Sequence, residues 1–163
     1  MQAERRHEYA TTVTWSRSEG SSTKTYAGYS REHTIGFANK EIVLRTSADR
    51  AFRGNPALVN PEELLLAALS SCHLLSYLAY CSLAGIEIVS YVDRAHGVMS
   101  ETGGAGRFVS VTLEPQVVVT RFEDLERAAA LHQEAHEACF IANSMNFPVV
   151  HHPVTTALGE AVP

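Results

Sequence analysis

Two cysteines carry most of the chemistry this sequence could perform. Cys72 lies inside LLLAALSSCHLLSYLAYCSLAGI, residues 64–86, a run with no charged residue, and Cys139 closes a second segment of helical spacing. A thiol reacts as its thiolate, and apolar burial raises a thiol pKa, so Cys72 can be a reagent only if the fold brings a cation to it. The candidates are Arg31 in YSREH, and Arg50 and Arg53 in the stretch before the apolar run. An arginine beside an apolar helix needs a carboxylate to hold it, and Glu62 and Glu63 are available. Glu62 precedes Cys72 by ten residues, about 15 Å along one helix. Either the arginine spans that gap or the glutamate comes from a second copy of the chain. Without such a cation, Cys72 is core packing, the usual fate of a free cysteine.

The other polar groups offer less. Cys81 lies nine residues past Cys72, roughly 13 Å along the same helix, and is expected to be packing. His73 points about 100° away from Cys72 and is expected to make a polar contact in the core or an interface. His132, His136 and Cys139 form H-x3-H-x2-C, a spacing that could collect zinc, but no fourth ligand is evident. We therefore read them as surface or interface histidines, and give His151 and His152 no role. No glycine-rich phosphate loop or G-x-S-x-G nucleophile elbow occurs. No cofactor and no metal are expected.

The elements that must position these groups read as α+β. TTVTW, KTYAGY, HTIGF and EIVLRT suggest an N-terminal β-meander, and residues 47–59, with Gly54 and Pro56, a loop. Asn60 as N-cap, Pro61 at the first helical position, Glu62 and Glu63 in the first turn and Gly85 as the stop mark a helix of about 24 residues, about 36 Å long. It is apolar on every side and must be covered nearly all round, more than one small chain supplies, so a homodimer is expected. Glu87–Met99 and Arg107–Thr120 read as one long hairpin across ETGGAG, with Pro115 favouring an edge or bulge. Phe122–Ile141 returns to helical spacing, and PVVHHPVTTALGEAV suggests one last strand.

At 163 residues and 45% hydrophobic content the chain reads as a single domain, 1–163. Thirteen Lys+Arg against eighteen Asp+Glu leave a net charge of -5 with no basic cluster, so neither nucleic acid nor an anionic membrane is an expected partner. The two arginines near the N-terminus precede no apolar region, which argues against a secretory signal and for the cytoplasm. Residues 64–86 are long enough to cross a bilayer, but serines, a histidine and the acidic flanks Glu62, Glu63 and Glu87 oppose it. Three cysteines without a C-x-x-C pair suggest thiols in a reducing compartment rather than a disulfide framework.

The stretch NPEELLLAALSSCH, followed 67 residues after Cys72 by Cys139 in AHEACFIANS, resembles the OsmC/Ohr family of osmotically inducible and organic hydroperoxide resistance proteins. The resemblance covers most of the chain. It implies an OsmC-like fold, with antiparallel sheets around a long buried helix in an intertwined homodimer whose sites lie at the subunit interface. By position, Cys72 looks like the peroxidatic cysteine, Cys139 the resolving one and Glu62 the carboxylate that orients the arginine. Arg31 lies 41 residues before Cys72, close to the spacing of the Ohr branch, whereas Arg50 or Arg53 would suit the OsmC branch. Arg31 is favoured as the strand-end mount. The implied activity is a peroxidase for alkyl or fatty-acid hydroperoxides, regenerated by an external dithiol, either a small thiol or a lipoyl protein. The sequence departs from the family at Phe140, where proline is common, and at His73, where an aromatic is usual; both sulfurs remain. The alternative is a non-enzymatic OsmC-like module that binds a small apolar ligand or senses redox state.

Overall fold

The computed structural model describes residues 4–159. Met1–Ala3 and Glu160–Pro163, the ends of the expected 1–163 domain and of the tail, lie outside the described residues. The described residues form two compact units that divide between Leu64 and Leu65.

In the first unit, β1 (Thr11–Thr14), β2 (His33–Phe37) and β3 (Val43–Thr46) make an antiparallel sheet in that order, with Val13 opposite Ile35 and Ile35 opposite Leu44. KTYAGY, expected as a strand, is a turn instead. Gly28 N–H donates to Thr25 O at 3.0 Å and Ser22 N–H to Gly28 O at 2.6 Å, and a Cβ at Gly28 would collide with both Ser22 O and the Thr25 hydroxyl. Residues 47–59 are a loop with one 3-10 turn, Arg50–Phe52, started by Asp49 Oδ1 accepting from Ala51 N–H at 2.7 Å. The loop ends at Asn60, whose Oδ1 accepts from Glu63 N–H at 2.8 Å while Glu63 Oε2 accepts from Asn60 N–H at 2.9 Å. This reciprocal capping box satisfies two donors that a bare helix start leaves open.

Helix α1 (Pro61–Leu83) starts there and runs into the second unit. It stops at Gly85, whose φ of 70° lets Ile86 N–H reach back to Cys81 O at 2.9 Å, a turn that favours a residue without Cβ. By length and composition α1 could cross a bilayer. Its buried residues, Leu69, His73, Tyr77 and Cys81, recur every four positions and form one stripe. Leu75 and Leu83 stay 64% and 85% exposed, so one chain does not give the all-round cover its sequence calls for.

The rest of the second unit is two three-stranded sheets and a helix. The expected long hairpin is cut in two. β5 (His96–Thr102) and β6 (Ala105–Leu113) pair antiparallel about Gly103 and Gly104, while β4 (Ile88–Asp93) pairs with β7 (Pro115–Val119) in the other sheet. The cut lies where Asp93 Oδ1 accepts from Glu114 N–H at 2.7 Å. Pro115 is neither at an edge nor in a bulge: it opens β7, the middle strand of β4-β7-β9, and a first position tolerates the missing donor. After α2 (Leu125–Ala138) the tail forms two strands rather than one, because His152-Pro153 breaks it. β8 (Val149–His151) adds parallel to β6, and β9 (Val154–Ala157) parallel to β7. Tyr77 and Cys81 of α1 pack with Val117 and Val119 of β7 and with Ala128 and Leu131 of α2 in the larger core.

Replacing Asn60 by Ala is expected to cost about 1–2 kcal/mol in denaturant unfolding, because the cap side chain is lost at a buried position. Glu63→Gln, which keeps an acceptor oxygen, should cost less. Equal stability of wild type and Asn60→Ala would contradict the capping box.

Candidate functional site

Cys72 sits on α1 and is half-buried, whereas Cys139 follows the last turn of α2 and is 1% exposed. The chain leaves the helix at Cys139, whose backbone is extended (φ -70°, ψ 108°) while its N–H still donates to His136 O at 3.2 Å. That exit turns the side chain toward α1. Burial first, and then the Cys72 thiol beside it, push the Cys139 thiol up to about 11. Ala142 N–H, at 3.5 Å from Cys139 Sγ, opposes the shift. Both thiols are free. The structure thus makes neighbours of two cysteines 67 residues apart, and the second is held as a protonated thiol at neutral pH. Cys81 is buried against Tyr77, and burial pushes its thiol up as well.

Arg31 and Glu62 belong to the first unit. Arg31 is not mounted on a strand end: it precedes β2 by two residues and is held by the loop before it. Its guanidinium lies 3.9 Å from the Tyr29 ring centre and 4.5 Å from that of Tyr26, and donates to Tyr29 O at 2.6 Å and to Tyr26 O. A planar cation between aromatic faces is well fixed. Together with Val13, Trp15, His33 and Pro61 it lines a cavity of about 480 Å³. Arg50 and Arg53 are exposed and line no part of it. Glu62 Oε2 is buried without a hydrogen-bond partner, and among the described residues Arg31 forms no ion pair. One chain therefore does not join these two into the guanidinium–carboxylate pair expected from the sequence.

A group of side chains that the sequence reading dispersed comes together in the second unit. His132 is not a surface histidine: it and His73 are fully buried, with His73 Nε2 and His132 Nδ1 3.1 Å apart. His136 and His151 complete the group, with ring centres 5.0 Å apart. Burial, then His151 and His136, lower His73 to about 4; burial, then His73 and His151, lower His132 to about 3. Tyr77 stacks on His132 with centres 3.9 Å apart. H-x3-H on α2 was a visible signal for half of this group. His73 and His151 reach it from other elements, and sequence spacing carries no trace of that.

A model of the OsmC-like protein family matches residues 54–152, and an OsmC-like protein of unknown function from Vibrio cholerae is 34% identical, with 91% of this chain and 100% of that one covered and a TM-score of 0.79. The chain belongs to the OsmC-like family. The matched residues include Glu62, Cys72 and Cys139 and begin after Arg31. An organic hydroperoxide resistance protein from Elizabethkingia anophelis shares the fold at 16% identity, with 95% of this chain and 99% of that one covered and a TM-score of 0.68. The uncharacterized protein YmaD of Bacillus subtilis is 25% identical over 107 residues, 64% of this chain and 71% of that one. Family membership thus rests on sequence and structure together, and the hydroperoxide-resistance relative supports the fold.

The raised Cys139 thiol has a consequence for stability. In the unfolded chain the thiol ionises near its ordinary value of 9.0, while the folded protein keeps the proton up to about 11. Its contribution is therefore present below pH 9 and lost as pH rises toward 11. Wild type should lose unfolding free energy over that window more steeply than Cys139→Ser, in which Cys81, Tyr77 and Tyr91 remain raised. Parallel pH profiles for the two proteins would refute the assignment.

Proposed function

We propose that this OsmC-like protein is a thiol peroxidase that reduces organic hydroperoxides, with Cys72 as the peroxidatic and Cys139 as the resolving cysteine. The observation that carries the reading is the pairing of a half-buried thiol with a buried one that interacts with it directly. The Cys72 thiolate attacks the terminal oxygen of R–O–OH; an S–O bond forms, the O–O bond breaks, and the alkoxide leaves and takes up a proton as the alcohol. Cys72 is then a sulfenic acid. Cys139 attacks that sulfur, a disulfide forms and water leaves, which protects Cys72 from irreversible oxidation. An external dithiol, small or lipoyl-borne, returns two electrons and both protons.

Arg31 and Glu62 are the guanidinium and carboxylate of this reading, drawn together when two copies assemble in the cytoplasm. Support comes from the unpartnered Glu62 Oε2 and from the exposed Leu75, Leu78 and Leu83 on α1, which a second copy would cover. The apolar lining contributed by Val13, Trp15 and Pro61 suits an alkyl or fatty-acid hydroperoxide over hydrogen peroxide. The same cavity favours a second reading, a non-enzymatic module that holds a small apolar ligand or senses redox state.

With a dithiol present, the protein should consume cumene hydroperoxide. Cys72→Ser should bring the rate to background with the fold intact, and Cys139→Ser should support one oxidation and then accumulate sulfinic acid at Cys72. Unchanged turnover in Cys72→Ser would remove the mechanism, and an inert wild type that co-purifies with an apolar molecule would favour the binding module. Sedimentation should give a dimer that Leu75→Glu shifts toward monomer; a monomeric wild type would contradict the assembly.

A further inference from the structure

His73 of α1, His136 of α2 and His151 of β8 are neighbours in the second unit. Their ring centres are 5.5 Å apart for His73 and His151, 5.0 Å for His136 and His151, and 6.5 Å for His73 and His136. The Nδ1 atom of each is buried and has no hydrogen-bond partner. An orphaned buried polar atom keeps its full desolvation penalty, so three on neighbouring rings call for an occupant that accepts nitrogen lone pairs. His73 carries its second nitrogen, Nε2, against His132 Nδ1 at 3.1 Å, with the two rings 7° from parallel. A metal-ligating histidine is oriented from behind in this way. His136 and His151 are half-buried as residues, while their Nδ1 atoms are closed to solvent.

We propose that His73, His136 and His151 bind a borderline divalent transition metal such as Zn2+ through their Nδ1 atoms, with His132 positioning His73. Metal–nitrogen bonds of about 2.1 Å place the centres of two imidazoles on one tetrahedral ion about 5 to 5.5 Å apart. Two of the three separations already meet this. Among the described residues no three donors are gathered at bonding distance, so binding requires the rings to turn and His73 and His136 to close by about 1 Å. The fourth position belongs to water or a small anion. This set is not the H-x3-H-x2-C triplet of the sequence, because Cys139 is turned to Cys72 and His132 stands behind His73.

The test uses the full chain, stripped with chelator and titrated with Co2+ and Zn2+, with reduced thiols. We expect one Co2+ per chain, displaced by Zn2+, with the visible spectrum of a four-coordinate nitrogen site and no thiolate charge-transfer band. Cys72→Ser should bind equally well, which separates this site from the peroxidase reading. His136→Ala and His151→Ala, both at half-buried positions, should each weaken binding by more than the roughly 10–100-fold that loss of an outer partner costs. Exposed His96→Ala is the control and should change nothing. Absence of stoichiometric Co2+ binding by a folded wild type would overturn the proposal, as would a thiolate band lost in Cys72→Ser or affinity indifferent to both His136→Ala and His151→Ala.

Discussion

The four-residue spacing of Leu69, His73, Tyr77 and Cys81 on α1 is the constraint on which the rest depends, because it decides which way Cys72 points. At 3.6 residues per turn, Cys72 lies about 60° from Leu69 and about 100° from His73 around the axis. It therefore stands on the flank of the buried stripe, half in the core and half out. One position further round, in the place of His73, it would be fully buried; on the opposite face it would be remote from Cys139. The stripe itself holds because Tyr77 and Cys81 pack into the β7 and α2 core while Leu69 fills a second one with Val111 and Leu113.

The same helix shows what one chain leaves open. A helix of 23 residues with a single buried stripe keeps large leucine side chains in water, at a cost of about 25 cal/mol for each Å2 of apolar surface. Its first turn holds a buried carboxylate oxygen with no donor, and the first unit holds an arginine fixed by rings and carbonyls with no carboxylate. The proposed second copy would cover the exposed leucines of α1 and bring a charged partner to Glu62 and Arg31. The sulfur pair, by contrast, is complete within residues 65–159.

Local chemistry was legible and long-range convergence was not. Asn60, Pro61 and Gly85 announce α1 because caps and stops are properties of adjacent residues, and the structure has Asn60 at the cap, Pro61 at the first helical position and Gly85 at the stop. KTYAGY misleads because its alternation is overridden by the tight approach at Gly28, which depends on where Ser22 lies. The tail misleads because a single Pro153 separates strands that join different sheets. For the site, the two sulfurs are visible through the family pattern, whereas the resting places of Arg31 and Glu62 are set by packing. The histidine group is the clearest loss: His73 and His132 are 59 residues apart, and only the packing of α1 on α2 makes them one unit.

The central claim, that Cys72 and Cys139 of one chain form a redox couple, is tested most directly by peptide mapping after one equivalent of an organic hydroperoxide. The account predicts a single disulfide joining Cys72 to Cys139 within each chain, with Cys81 still a free thiol. A Cys72 that stays reduced, or that pairs with any sulfur other than Cys139, would contradict it.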